Sequence, residues 1–440
     1  MELIRRIRDK SAGIAVVGLG YVGLPTAAVL AARGYSVVGA DIKREVVESI
    51  NRGESPIGEP GLHELVRHAV EKRRLRAVLS AEEATQESDV VIVVVQTPID
   101  GEKRPDLSAL KSACRDVAAG LKKGQLVIIE STIPPGTTRR VVAPLLEGSG
   151  LKAGEDFLLA YSPERAIPTR TLQEIQSNAR IVGGINERSA RAAAELYRSI
   201  TSGEVYEESV EVVEVVKLME NTFRDVNIAL ANELALLCEA LGIDVLRAIE
   251  LANRHPRVNL HTPGAGVGGH CLPKDPYFLI NEAKKHGIEL RVIEAARQRN
   301  DGMPLHVLRR IEEALAARGK ELSNAKVAVL GIAYKGNTDD TRQSPAEPVV
   351  RALMERGVHV VSHDPHAKQD FGGRFSSNLR EVVAGADAVV ILTDHDEYKR
   401  LNLEELKPLL KGDAVVIDGR RVLEKEKVER LGMRYFGVGC

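Results

Sequence analysis

Cys271 has the sequence setting of a working nucleophile. It follows Gly268, Gly269 and His270 and precedes Pro273, Lys274, Asp275 and Pro276. An acidic residue followed by proline reads as a helix N-cap with proline at the first helical position. The thiol then sits just ahead of a helix N-terminus and close in sequence to a lysine. Both favour the thiolate, the form that attacks carbon. Cys114 and Cys238 lie on helical patterns and Cys440 is the last residue, so none shares that setting. The four are far apart and form no CxxC pair, which points away from a disulfide framework or a zinc knuckle. His255, His261 and His270 gather around Cys271 along the chain. Their spacings fit no common zinc site, so no metal is expected. On spacing alone, Asp275 has the simpler role of a cap.

Two other groups of residues suit chemistry. Lys217, Asn221 and Arg224 stand at i, i+4 and i+7, which puts them on one face of a helix. A solvated stripe is the plain alternative, but the flanking sequence is mostly apolar. Gly18, Gly20 and Gly23 form a Gly-x-Gly-x-x-Gly turn, with Tyr21 and Val22 inside it. The turn falls where a first strand becomes a first helix, the context in which it cradles a pyrophosphate on helix amides. Asp41 follows 18 residues after Gly23, at the end of the second strand. A carboxylate there holds adenosine ribose hydroxyls and favours NAD over NADP; Lys43 and Arg44 beside it work the other way. Thr97, in Gln96-Thr97-Pro98, and Thr132, in Glu130-Ser131-Thr132, each follow a strand. They suit ligand contact and helix-capping turns equally.

These residues need elements to carry them. Apolar runs at 13–17, 35–40, 89–95 and 125–130 read as strands of a parallel sheet covered on both faces. A small-residue helix at 25–33 fits between the first two. The far end of the chain repeats the plan, with strands at 326–331 and 358–362 around a helix at 345–357. SDVVIVVV from Ser88 is echoed by ADAVVIL from Ala386, and GQLVIIEST from Gly124 by GDAVVIDGR from Gly412. The fold class is therefore α/β, with two Rossmann-like, doubly wound parallel-sheet domains. Between them the stretch from Ser209 has no proline and no glycine before Gly242. It predicts one helix about 45–50 Å long, enough to join domains and bury a dimer face. A second helical run covers 295–318. The expected division is 1–205, an NAD-binding Rossmann-like domain; 206–318, a helical dimerisation domain carrying the Cys271 loop; and 319–440, a second Rossmann-like domain. At 440 residues with a net charge of −1, the chain has no long-range pull toward nucleic acid or anionic membrane. No stretch suits a signal peptide or a membrane span, so a cytoplasmic protein is expected.

The motifs GLGYVGLP, QTP, ESTIPPGTT, YSPERAIP, KLMENTFRDVNIALANELA, HPRVNLHTPGAGVGGHCLPKDP, YKGNTDDTRQSP and DGRR occur in this order. In that, the chain resembles the UDP-glucose/UDP-mannuronate dehydrogenase family over nearly its whole length. The resemblance implies NAD-dependent, four-electron oxidation of a UDP-sugar at C6 by a homodimer or tetramer. SPER, ENTFRDVNIALANE and GVGGHC resemble the UDP-N-acetylhexosamine branch, with UDP-N-acetyl-D-mannosamine the expected substrate. UDP-N-acetylglucosamine and UDP-glucose are the alternatives. Pro168-Thr169 stands where Pro-Gly is more usual, and Pro273-Lys274 is closer to the UDP-glucose branch. By resemblance Cys271 is the nucleophile and Lys217 the general acid/base; Asn221 and Asp275 position substrate and water, and Thr132 and Glu164 support them. Arg165, Ala166, Arg224, His255, Arg257 and Gly266 contact the nucleotide sugar together with Lys217 and Asn221. The resemblance makes 319–440 a UDP-binding domain, from which Tyr334, Lys335 and Arg420 also contact the nucleotide sugar, while Arg342 contacts the cofactor. The product suits surface polysaccharide synthesis.

Chemically, the aldehyde made by a first oxidation is captured by Cys271 as a thiohemiacetal, oxidised to a thioester and released by water. A two-electron alcohol dehydrogenase would need neither Cys271 nor a second Rossmann-like domain. A non-catalytic nucleotide-sugar sensor would need none of Cys271, Lys217 and Asp275.

Overall fold

The computed structural model describes residues 2–167 and 169–440; Pro168, noted above as a departure, lies outside them. The chain divides into two compact units. The first is Met1–Glu220 with Tyr277–Gly287, and the second is Asn221–Pro276 with Ile288–Cys440.

In the first unit eight strands form one sheet: β1 (Gly13–Val17), β2 (Ser36–Ala40), β3 (Leu75–Val78), β4 (Val90–Val93), β5 (Leu126–Ile129), β6 (Leu158–Tyr161), β7 (Arg180–Gly184) and β8 (Val205–Ser209). Their order is β3-β2-β1-β4-β5-β6-β7-β8. The chain reverses its direction of travel across the sheet between β1 and β4, the place where open α/β sheets bind ligands. The near-continuous apolar runs are explained by burial on both faces. Val90, Ile92, Leu126 and Ile128 enter one core cluster, while Val91, Val93, Val127 and Ile129 enter the other. Each such side chain contributes about 1.5–3 kcal/mol on burial. One pairing departs from the parallel expectation: β6 and β7 run antiparallel, with Ala160 opposite Gly184. Among its described residues the segment between them carries only the short helix Thr171–Ser177, and a direct return without a full crossover gives antiparallel neighbours.

The second unit holds β9 (Lys326–Leu330), β10 (His359–His363), β11 (Arg374–Phe375), β12 (Ala388–Ile391), β13 (Val415–Asp418) and β14 (Arg434–Gly437). Every pairing is parallel, in the order β11-β10-β9-β12-β13-β14. The plan of the first sheet is repeated, with its switch point between β9 and β12.

The long helix is Val210–Leu241, 32 residues, and stops before Gly242 as expected. The second helical run starts earlier than its pattern suggested, as Arg291–Ala316, and contains Pro304. A buried polar chain joins these two helices within the second unit. Arg297 pairs with Asp225 at 2.5 Å, and the Asn300 amide donates to the Asp225 carboxylate at 2.8 Å. The Asn232 amide donates to Asn300 at 2.9 Å, and Asn232 accepts from the Gly264 amide at 2.9 Å. These buried hydrogen bonds restrict how the two helices pack. It anchors the start of the Gly-rich segment that leads to Cys271. Among the described residues, no helix is long and apolar enough to cross a membrane.

Candidate active site

At the switch point of the first sheet, the loop after β1 leaves no room for side chains at two glycines. A Cβ on Gly18, whose φ is +95°, would lie 2.1 Å from the Val94 carbonyl oxygen, and one on Gly23 would lie 1.9 Å from that of Gly18. Gly20 is the opposite case, since a Cβ there would meet nothing within 4 Å. Backbone therefore faces open space at the start of the helix Gly23–Ala32, which no side chain caps at Val22. Tyr21 is exposed beside it. Asp41 Oδ2 accepts from the Leu19 amide and Oδ1 from the Lys43 amide, both at 2.9 Å. Each oxygen keeps a second lone pair for a ribose hydroxyl. The Thr97 hydroxyl donates to the Thr132 carbonyl at 2.6 Å, and Ser131 Oγ bonds both backbone groups of Val95. The loops after β4 and β5 are thus tied together at the same sheet edge. These residues fit a dinucleotide.

Lys217 belongs to a second cluster in this unit. It is 7% exposed, and Nζ spends one of its three N–H donors on the Glu164 carbonyl at 2.8 Å. The Glu164 carboxylate is engaged elsewhere: Oε1 accepts from the Arg165 and Ala166 amides, and Oε2 pairs with Arg180. Glu164 therefore supports Lys217 through its backbone. Arg180 also faces Glu130 at 3.5 Å and stacks on the Tyr197 ring at 4.6 Å, and the Tyr197 hydroxyl donates to Glu130 at 2.6 Å. Burial pushes the Glu130 carboxyl up to about 7 against the pull of Arg180. Arg165 pairs with Glu220 at 2.6 Å, and Ala166 packs on the core.

The second unit carries the Cys271 segment. A Cβ on Gly268 would lie 2.6 Å from Tyr334 Cβ, and one on Gly269, at φ +86°, would lie 2.7 Å from the Tyr334 ring. The two glycines let the backbone lie flat on Tyr334, and the Gly269 amide donates to the Arg342 carbonyl at 3.0 Å. Gly266 sits against Pro304 and Pro345. Burial pushes the Tyr334 hydroxyl up to about 12, helped by Asp340 and Cys271. Cys271 is half-buried, with Sγ 3.2 Å from His270 Nδ1.

Asp275 does not stand as the cap that spacing suggested. It is the first residue of the helix Asp275–Lys285 and is fully buried. Oδ1 accepts from Lys274 Nζ at 2.7 Å and Oδ2 from the Asn221 amide at 2.6 Å. Lys274, expected to act on the thiol, is 3% exposed and committed to Asp275.

Arg420 Nε donates to the Leu392 carbonyl at 3.0 Å and Nη2 to the Tyr334 carbonyl at 3.2 Å, which fixes its guanidinium at the switch point of the second sheet. Lys335 is exposed at the same edge, and Arg342 forms a two-pronged pair with Asp340. His255 and Arg257 contact each other in an exposed turn. Arg224 is exposed, unlike Lys217 and Asn221, and the buried residue after it is Asp225. Among the described residues His366, His395 and Glu397 have metal-like spacing. His395, however, accepts from the Asn337 amide at Nδ1 and donates to Asp364 from Nε2. It has no lone pair left for an ion.

The sequence reading missed Arg180 and Tyr197, named Glu130 only within the Glu130-Ser131-Thr132 turn, and weighed His270 only as a metal ligand. The one local signal was Arg180 opening an otherwise apolar strand.

The sequence profile of the UDP-glucose/GDP-mannose dehydrogenase family matches in three parts. Its NAD binding domain covers residues 12–201, its central domain 211–302 and its UDP binding domain 328–425. UDP-N-acetyl-D-mannosamine dehydrogenase of Pyrococcus horikoshii is 46% identical over 426 residues, 97% of this chain and 99% of that protein. The solved structure of UDP-D-ManNAc dehydrogenase from Pyrococcus horikoshii superposes with a TM-score of 0.91, at 46% identity over 97% of this chain and 99% of that one. A UDP-glucose dehydrogenase structure from Pyrobaculum islandicum gives 0.88 at 32% identity, over 97% and 98% of the two chains. The chain belongs to the UDP-glucose/GDP-mannose dehydrogenase family and is an NAD-dependent oxidoreductase with two Rossmann-like domains.

Proposed function

We propose that the protein oxidises UDP-N-acetyl-D-mannosamine at C6 to the uronate, with Cys271 forming a covalent bond to the sugar. The observation that carries this reading is the turn in which the Cys271 carbonyl accepts from the Lys274 and Asp275 amides, at 3.1 and 2.9 Å, while Asp275 holds Lys274 and Asn221. That placement gives a nucleophile and a fixed amide donor together. The relatives named above support the choice of sugar.

NAD, when bound, supplies the hydride acceptor for each of the two oxidations. After the first, Cys271 sulfur bonds to the aldehyde carbon while the carbonyl π pair moves to oxygen. Loss of a hydride and a proton from the thiohemiacetal leaves a thioester. Water then adds, and the C–S bond breaks to release carboxylate and thiolate. Lys217 and Asn221, one helical turn apart, stabilise charge on the C6 oxygen. Asn221 donates one N–H to Asp275 and has a second to offer. Asp275, with Thr132 and Glu164 in support, positions these groups. The sugar nucleotide meets Arg165, Ala166, Arg224, His255, Arg257 and Gly266, and its diphosphate and uracil meet Tyr334, Lys335 and Arg420. Arg342 serves the cofactor. The division at 1–205, 206–318 and 319–440 follows these roles.

Val212, Met219, Phe223, Leu230, Leu237 and Leu241 form an exposed apolar stripe along the long helix. It suits a second copy of the chain in a dimer, or a dimer of dimers, in the cytoplasm. Light scattering of the purified protein counts the copies. The substrate is tested by supplying NAD with UDP-N-acetyl-D-mannosamine, UDP-N-acetylglucosamine and UDP-glucose in parallel. The mannosamine sugar is expected to give a kcat/KM at least about tenfold above the others, the value of about 1.4 kcal/mol of differential transition-state binding. A higher value for UDP-glucose would overturn the choice.

A further inference from the structure

We propose that His270 takes the thiol proton of Cys271 as the sulfur adds to the aldehyde, a role that rests on Cys271 being the nucleophile. The geometry is direct, with Nδ1 3.2 Å from Sγ. For Nδ1 to accept, the ring carries its proton on Nε2.

Other groups in the same unit are poorly suited. Lys274 is a cation committed to Asp275 at 2.7 Å and has no lone pair. Asp275 is fully buried, and its charge is held by Lys274 at 2.7 Å. The Tyr334 hydroxyl, which burial pushes up to about 12, holds its proton near neutrality. Arg342 is a cation paired with Asp340. His270 is different in two ways. Packing, then the charges of Lys274 and Arg342, disfavour its imidazolium, with Asp275 and Asp340 opposing, so the ring is neutral and able to accept. It is also exposed, so packing does not bar an incoming aldehyde from the ring.

The step balances. The S–H proton moves to Nδ1 while the S–C6 bond forms and the carbonyl π pair moves to oxygen. The imidazolium then returns a proton to that oxygen, which gives a neutral thiohemiacetal and a neutral ring. Because the imidazolium is disfavoured, the return is downhill.

The test compares His270→Gln, His270→Ala and Cys271→Ser with the wild type, using UDP-N-acetyl-D-mannosamine, NAD and semicarbazide as an aldehyde trap. In His270→Gln the first NADH should form normally. The second should slow about a hundredfold, as for loss of a general acid/base, with trapped aldehyde accumulating. Added imidazole should speed His270→Ala and leave Cys271→Ser unchanged. Unaltered NAD affinity and melting temperature exclude a folding defect, and His270→Gln stands in should His270→Ala fold poorly. A second NADH formed by His270→Gln at the wild-type rate overturns the role of His270. If Cys271→Ser stops at the aldehyde in that same experiment, only His270 is misassigned. If Cys271→Ser also completes both oxidations, the covalent reading fails too.

Discussion

Replacing Asp275 by alanine removes one carboxylate and takes a charged acceptor from two buried donors. The Lys274 ammonium, 3% exposed, loses its 2.7 Å partner, and the Asn221 amide loses its 2.6 Å acceptor. Breaking one side of a buried ion pair costs about 3–5 kcal/mol, and an orphaned amide adds about 1–3 kcal/mol. Water entering the space left by the carboxylate offsets part of this, so a loss of about 4 kcal/mol is expected, close to a thousandfold in the folding equilibrium. Asp275→Ala with Lys274→Met removes the buried cation as well and should regain about half of that loss. It should regain no activity, because the carboxylate that holds Asn221 is still missing. The chain has no tryptophan, so urea unfolding is best followed by far-UV circular dichroism, with a separate transition allowed for each unit. A single-variant loss below about 1 kcal/mol, the range of an exposed pair, would refute the reasoning. So would a double variant no more stable than Asp275→Ala.

Lys217→Met removes a buried ammonium that donates to the Glu164 carbonyl. It should lower kcat by about a hundredfold or more and leave the NAD dissociation constant, measured by calorimetry, nearly unchanged. Asp41→Ala removes the carboxylate held by the Leu19 and Lys43 amides. NAD affinity should fall about 10- to 100-fold, as for loss of charge-assisted hydrogen bonds, and NADP affinity should fall less. Burial alone would raise the Asp364 carboxyl, but the His395 ring and the Ala367 and Ala333 amides hold it at about 2 against an ordinary 3.8. A depressed carboxylate stabilises the fold fully above pH 3.8, and that contribution is lost as pH falls toward 2. It amounts to about 2 kcal/mol. Asp364→Asn should flatten this acid limb in the unfolding profile of the second unit, and an unchanged limb would count against the assignment.

Strands whose two faces are both covered leave a strong trace in sequence, and β1, β4, β5, β9 and β12 lie within a residue or two of their apolar runs. The β6–β7 reversal left none, because strand direction depends on how the intervening chain returns. The reach of the long helix was readable from its lack of proline and glycine. Its burial boundary was less so: Lys217, Asn221 and Arg224 share helical spacing, yet Arg224 faces solvent and Asp225 is buried against Arg297. A partner on the Arg291–Ala316 helix decides that. The same limit hid the Arg180 cluster, since Glu130, Glu164, Arg180 and Tyr197 come from separate segments of the chain. Asp275 read as a cap because its partner Asn221 is 54 positions away. Only Cys271 and the Gly18–Gly23 turn announced their chemistry locally, through a helix N-terminus just after the thiol and a glycine spacing that lets backbone approach a pyrophosphate.

The most direct measurement is the number of NADH molecules formed per UDP-N-acetyl-D-mannosamine consumed, taken to completion with product analysis. A covalently retained aldehyde predicts two, with uronate as the sole product. One NADH per sugar, with free aldehyde in solution, would contradict the role given to Cys271.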